Sequence, residues 1–162
     1  MRFIADAMLG TLAQWLRTLG YDVLYDPSLD DDALVRIARA EGRVLLTRDT
    51  ALLRRRNLQT LYITSQRWEE QVRQVLRDLP LPPPAPLTRC LECNTPLEDM
   101  LRSEAWGLVP PYVFARHGRF RFCPDCQRVY WQGTHWDRMQ RTIEEFIAYW
   151  EAHHPLPASE RR

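Results

Sequence analysis

Two pairs of cysteines, Cys90-Leu-Glu-Cys93 and Cys123-Pro-Asp-Cys126, stand 29 residues apart. Two intervening residues let both thiolates of a pair face one ion, and four sulfurs close a tetrahedral Zn²⁺ shell with no open position. Cys90, Cys93, Cys123 and Cys126 are therefore read as ligands of a structural zinc rather than as disulfides or a redox pair. A segment this small has too little core to fold unaided, so the metal's binding energy would be folding energy. His117 and His135 are substitute ligands, but four cysteines already satisfy the ion.

The second set of chemistry-bearing residues is acidic. Asp6 follows Phe3-Ile4-Ala5, Asp26 follows Val23 to Tyr25, Asp30-Asp31-Asp32 opens an amphipathic stretch, and Asp49 follows Val44 to Thr47. Carboxylates brought together repel one another unless a cation sits between them. Mg²⁺ or Mn²⁺ does this well, because hard cations take oxygen ligands and keep several waters. Such an ion promotes hydrolysis of a phosphodiester. The competing reading is capping, since each of these acids precedes a helix, where Asp is favoured.

The elements that must position these groups alternate. Phe3 to Ala5, Val23 to Tyr25, Val44 to Thr47 and Leu61 to Ile63 read as short buried strands. Leu9/Leu12/Ala13/Leu16/Leu19, Leu34/Ile37/Ala38, Ala51/Leu52 and Val72/Val75/Leu76 recur at helical spacing, with Gly20 and Gly42 where C-caps would fall. The result is an α/β unit, a small parallel sheet sandwiched by helices. Working groups in such sheets gather at the carboxyl ends of the strands, which would bring Asp6, Asp49 and the Asp30 to Asp32 run to one edge. Five prolines between Pro80 and Pro86 predict a stiff spacer. The expected organisation is an α/β domain over 1–79, a linker over 80–87, a zinc ribbon with a C-terminal helix (about Asp137 to Glu151) over 88–152, and a tail over 153–162.

Between the knuckles, Tyr112 to Phe122 reads as a hairpin turning at His117-Gly118. That pairing sets Arg116 opposite Arg119 and Phe114 opposite Arg121, so one face carries Arg116, Arg119 and Arg121 beside an aromatic ring. Guanidinium on phosphate and a ring for stacking would suit RNA. A plain solvated face is the alternative.

The stretch from Phe3 to Asp22, with Asp6, Gly10, Trp15, Arg17 and Gly20-Tyr21-Asp22, resembles the opening of the Mut-seven C-terminal RNase family. Thr47-Arg48-Asp49 looks like the Thr-x-Asp signature of PIN nucleases. Cys123-Pro-Asp-Cys126 followed by Tyr130-Trp131-Gln-Gly133-Thr134-His135-Trp136 resembles the zinc-ribbon half of that family. The resemblance covers about residues 2 to 140. It implies a PIN-like α/β domain cutting RNA with Mg²⁺ or Mn²⁺, plus a four-cysteine zinc ribbon. On it, Asp6 matches the first acid, Asp49 that of the Thr-x-Asp motif, and Asp31 the middle one, seven residues before Ala38. Asp30 and Asp32 are the fallbacks. Arg17 and Arg48 become substrate contacts by the same match, and Thr47 a partner of a carboxylate or phosphate. The acid that often follows the third in larger PIN nucleases is missing from Thr50 to Arg56.

The chain has 162 residues and a formal charge of +1, from 22 arginines, no lysine and 21 acids. Near-neutrality excludes a polycation, and any nucleic-acid contact must be local and made largely by Arg. No window is apolar enough to span a membrane, and the N-terminus lacks the pattern of a signal peptide, so the expectation is a cytoplasmic protein. The leading function is a metal-dependent ribonuclease with RNA as its partner. The rivals are a non-catalytic RNA-binding or adaptor protein and, lower, a toxin-like endonuclease. Oligomeric state is open, a homodimer included.

Overall fold

The computed structural model describes residues 1–155. β1 (Arg2–Ala5), β2 (Asp22–Leu24), β3 (Val44–Thr47) and β4 (Thr60–Tyr62) form one parallel sheet in the order β2-β1-β3-β4. Parallel neighbours need crossovers. α1 (Gly10–Thr18) supplies the first and α2 (Asp31–Glu41) the second. The helix expected at Ala51/Leu52 is a single 3-10 turn, Leu52–Arg54, and α3 (Trp68–Asp78) follows β4.

Successive strand residues point to opposite faces. Phe3, Ala5, Val23, Val44 and Leu46 pack with α1 and α3, whereas Ile4 and Leu45 pack with α2. Both faces of the sheet are thus covered, which is why its strands read as unbroken apolar runs.

The second half of the chain contributes β5 (Glu98–Met100), α4 (Arg102–Ala105), α5 (Pro111–Arg116), β6 (Phe120–Phe122), β7 (Val129–Tyr130) and α6 (Thr134–His153). β5, β6 and β7 form an antiparallel sheet in that order. The expected hairpin does not form. Tyr112 to Arg116 is helical, started by Pro111, whose fixed φ suits a first helical position. Phe120–Phe122 instead finds partners on both sides, with Arg121 opposite Asp99 and Tyr130, so Arg116 and Arg119 are not cross-strand neighbours.

α6 packs back on the α/β layer, mainly against α3, and buries Ile143 and Phe146 in the core of the first sheet. The rings of Trp15 and Trp68 stack at 5.0 Å, and Phe146 meets both edge-on. The proline run is no free spacer either. Leu81 is buried in that core, the Tyr21 hydroxyl donates to Pro82 O (2.8 Å), Trp150 Nε1 donates to Leu81 O (3.2 Å), and Ala85 N donates to Leu19 O (2.8 Å). Proline lacks an N–H but keeps its carbonyl, so the segment serves as a strap that receives donors from the core it crosses. Of the expected tail, His153 closes α6, and 156–162 lie outside the described residues.

Candidate active site and metal centre

β1 and β3 are adjacent, yet the chain leaves them towards opposite faces of the sheet, and at such a switch point the carboxyl ends open a crevice. Asp6 and Asp49 lie there. Asp6 Oδ1 accepts from Ala7 N (2.7 Å) and its Oδ2 from the Thr47 hydroxyl (2.9 Å). Thr47 Oγ1 in turn accepts from Asp49 N (2.9 Å), and Asp49 Oδ1 accepts from Ala51 N (2.9 Å). Thr47 is fully buried. It is a bracket joining the two acids across neighbouring strands, not a group open to substrate.

The three consecutive acids of α2 have three different fates. Asp30 is the N-cap, its Oδ1 accepting from Ala33 N (2.8 Å). Asp32 pairs with Arg55 at 2.7 Å on the surface. Asp31 has no hydrogen-bond or ion-pair partner among the described residues. Partial desolvation first, then the charges of Asp6 and Asp49, raise its carboxyl above the ordinary range, opposed by Arg55. Asp31 therefore lies within electrostatic reach of both other acids.

The donor set fits a hard divalent cation: oxygens only, with one carboxylate that makes no hydrogen bond or ion pair among the described residues. Among the described residues the four cysteines are the one group of three or more such side chains with ligand atoms all within 4.8 Å of one another, and the three acids do not form such a group.

Two arginines matched to substrate by resemblance are otherwise engaged. Arg17 is 5% exposed, and donates through Nε to Val23 O (2.9 Å) and through Nη1 to Leu91 O (2.9 Å) and Glu92 O (3.3 Å). It fastens the first cysteine knuckle to the sheet. Burial lowers its pKa, and the neighbouring Cys90 and Cys93 oppose that shift. Arg48 is half-buried and donates to Ile63 O (2.9 Å), tying the end of β3 to the chain after β4.

A second fastening went unread in the sequence. Asn94 accepts from Val23 N (2.9 Å) and donates to Asp22 Oδ1 (2.7 Å), which also pairs with the buried Arg43 at 2.7 Å. An Asn directly after Cys93, at positive φ (69°), is the one local signal that could have pointed to it.

The four thiols converge, with Cys90 Sγ 3.4 Å from Cys126 Sγ and Cys93 Sγ 3.3 Å from Cys123 Sγ. These separations far exceed a disulfide's roughly 2.05 Å. They approach the about 3.8 Å edge of a tetrahedron with Zn–S bonds near 2.3 Å. Burial opposes ionisation of Cys90, but hydrogen bonds from the Tyr130 hydroxyl (3.0 Å) and the amides of Cys93 and Glu92 outweigh it and bring the thiol to about 7. Burial raises Cys123 and Cys126. The cluster can hold a structural metal such as zinc, and Tyr130 is the outer partner that orients one ligand.

Arg116, Arg119 and Arg121, though not on a hairpin, line one groove of about 710 Å³ beside the cysteine cluster. Arg121 donates to Leu87 O (3.0 Å) and lies 3.7 Å from Asp99.

A parallel α/β sheet carrying acids at its switch point, with a four-cysteine ribbon appended, defines a class of two-part nuclease-like proteins. The family model described as the Mut7-C RNAse domain matches residues 1–143, and the chain belongs to that family. Searches among curated proteins and among solved structures returned no match. Membership points to ribonuclease activity with RNA as the substrate. Among the described residues no helix is long and apolar enough to cross a membrane.

Proposed function

We propose that the protein hydrolyses RNA phosphodiester bonds with Mg²⁺ or Mn²⁺ held by Asp6, Asp31 and Asp49, and that Zn²⁺ on Cys90, Cys93, Cys123 and Cys126 shapes a ribbon that contacts the RNA. The observation that carries this is the Asp31 carboxylate, which has no hydrogen-bond or ion-pair partner among the described residues and is raised by desolvation and then by the charges of Asp6 and Asp49, while its neighbours Asp30 and Asp32 are occupied. The bound divalent ion supplies Lewis acidity towards the phosphate and a lowered pKa for water. Thr47 keeps Asp6 and Asp49 in fixed register, so neither carboxylate must reorganise when substrate arrives. Asp6 and Asp49 each anchor one oxygen on a backbone amide, which limits rotation of the group that would face the cation.

A non-catalytic adaptor is the second reading, because Asp6 and Asp49 both receive amide hydrogen bonds that a purely capping role would explain. On that reading Asp31 only complements the dipole of α2, and its approach to the charges of Asp6 and Asp49 is an unfavourable by-product. The test is cleavage of unpaired RNA in Mn²⁺ by the parent, Asp6→Asn and Asp49→Asn. Each folded variant should lose roughly 100-fold or more, the scale of removing a preorganised charge-stabilising group. Variants as fast as the parent would overturn the site.

A further inference from the structure

The groove beside the cysteine cluster is built by five segments: the end of the strap at Pro86-Leu87, the end of β5 at Asp99-Met100, the end of α5 at Arg116-His117, β6 with the residues leading into it, and β7 with Trp131 and Gln132 after it. Its charged lining is three arginines against Asp99, a sum of +2 with His117 neutral. The arginines are not equivalent. Arg121 is held by Leu87 O and faces Asp99, whereas Arg116 and Arg119 are exposed and have no hydrogen-bond or ion-pair partner among the described residues.

Trp131 forms the aromatic wall, and its position depends on Gly133. A Cβ added at Gly133 would fall 2.6 Å from Trp131 Nε1, so only glycine lets the indole lie where it does. Tyr112, 66% exposed, stands one helical turn before Arg116 on the same face of α5. An unpaired cation pair and an indole thus share one concave surface, with an exposed tyrosine on the same helix as Arg116 but outside the lining.

The volume falls within the roughly 300–1,000 Å³ of sites that enclose a small organic group, too small for a duplex. A duplex also hides its base faces, while unpaired bases can stack on aromatic side chains with their phosphates on arginine. We propose that this groove anchors an unpaired nucleotide of the RNA, with its flanking phosphates on Arg116 and Arg119 and its base on Trp131, and that Tyr112 receives the next base beyond the rim. This deepens the ribonuclease reading and rests on it. The substrate is thereby a single-stranded RNA segment, gripped outside the acidic edge that cuts it.

The test is binding of end-labelled oligouridylate, followed by fluorescence anisotropy between low and moderate salt, to the Asp49→Asn chain and to the same chain carrying Arg116→Gln with Arg119→Gln. Two lost phosphate contacts should flatten the slope of log K against log salt by about 1.4, at roughly 0.7 per charge for single strands. In the same background Trp131→Ala should weaken binding about 5- to 150-fold, the range for loss of one stacked base. Zinc content equal to the parent's confirms that each variant retains the ribbon. A slope and affinity unchanged in the double-arginine variant would overturn the anchor. So would equal binding of a duplex of the same length, or displacement by oligoglutamate as effective as by RNA. Cleavage by Asp49→Asn at the parent's rate in Mn²⁺ would instead sink the acidic site, while binding measured without added divalent ion still reads the groove's salt slope, so the two failures are distinguishable.

Discussion

Asp30, Asp31 and Asp32 carry the same carboxylate at consecutive positions, but a helix turns each by about 100° and gives each a different neighbour. One caps, one reaches Arg55, and one feels the charges of the strand-end acids Asp6 and Asp49. Substitution should separate them. Asp31→Asn should abolish RNA cleavage with little change in stability, Asp32→Asn should leave cleavage within a few-fold of the parent, and Asp30→Ala should cost about 1 kcal/mol of stability as a lost N-cap. Rates and urea midpoints measured on the three variants check this. The buried pair is a second residue-scale case. Burial pushes Asp22 upward, but hydrogen bonds from Arg43 and Asn94 outweigh it and hold its carboxyl below the usual range. A depressed folded pKa contributes stability that is present above the unfolded value of about 3.9 and lost as pH falls through the folded one. Asp22→Asn should therefore cost about 3 kcal/mol near neutral pH, and the gap from the parent should close below about pH 4 in acid unfolding. Types and spacing made the cysteine cluster legible at this scale and marked the acids as candidates, but not what Arg17 does. Resemblance assigns it to substrate, and only the packed structure shows it turned to backbone carbonyls, whereas Thr47 meets one of its two expected partners, the carboxylate of Asp6.

The strands of the first sheet could be read as apolar runs and α1, α2 and α3 from periodicity because each is specified by its own burial pattern, whereas the stretch at Ala51/Leu52 forms only a 3-10 turn. The proline strap could not, since composition dictates an extended backbone and says nothing of what lies under it. Its fit is visible at Gly20, where φ is +93° and a Cβ would come 2.3 Å from Ala85 O. Gly42 also has positive φ, +64°, but open space around it. Gly20→Ala should destabilise the protein by clearly more than Gly42→Ala, whose cost is the left-handed backbone alone, about 1 kcal/mol. Equal shifts in thermal midpoint would mean that the strap yields freely. The failed hairpin has a related cause. Tyr112 to Phe122 alternates well enough for two strands, but Pro110-Pro111 starts a helix, and β6 takes its partners elsewhere. Arg121 pairs with Asp99, 22 residues upstream, and with Tyr130, nine residues downstream. Such pairings leave no short-range signal.

At the scale of the molecule, the two halves are interlocked rather than strung together. α6 follows the ribbon in sequence yet completes the first core, and Arg17 and Asn94 bind the first cysteine knuckle to the edge of β2. Removing the metal with a chelator should therefore lower the unfolding temperature of the whole chain in a single transition, not melt the ribbon alone. Two separated transitions by circular dichroism would show that the halves are energetically independent. The same interlocking lets one structure carry an acidic edge and an arginine-lined groove within a net charge of +1. The acidic edge is tested by anomalous scattering at the manganese edge from a crystal soaked in Mn²⁺. A peak should appear among Asp6, Asp31 and Asp49 and be lost in Asp31→Asn. No peak there, in crystals whose dissolved protein cleaves RNA with Mn²⁺, would contradict the site.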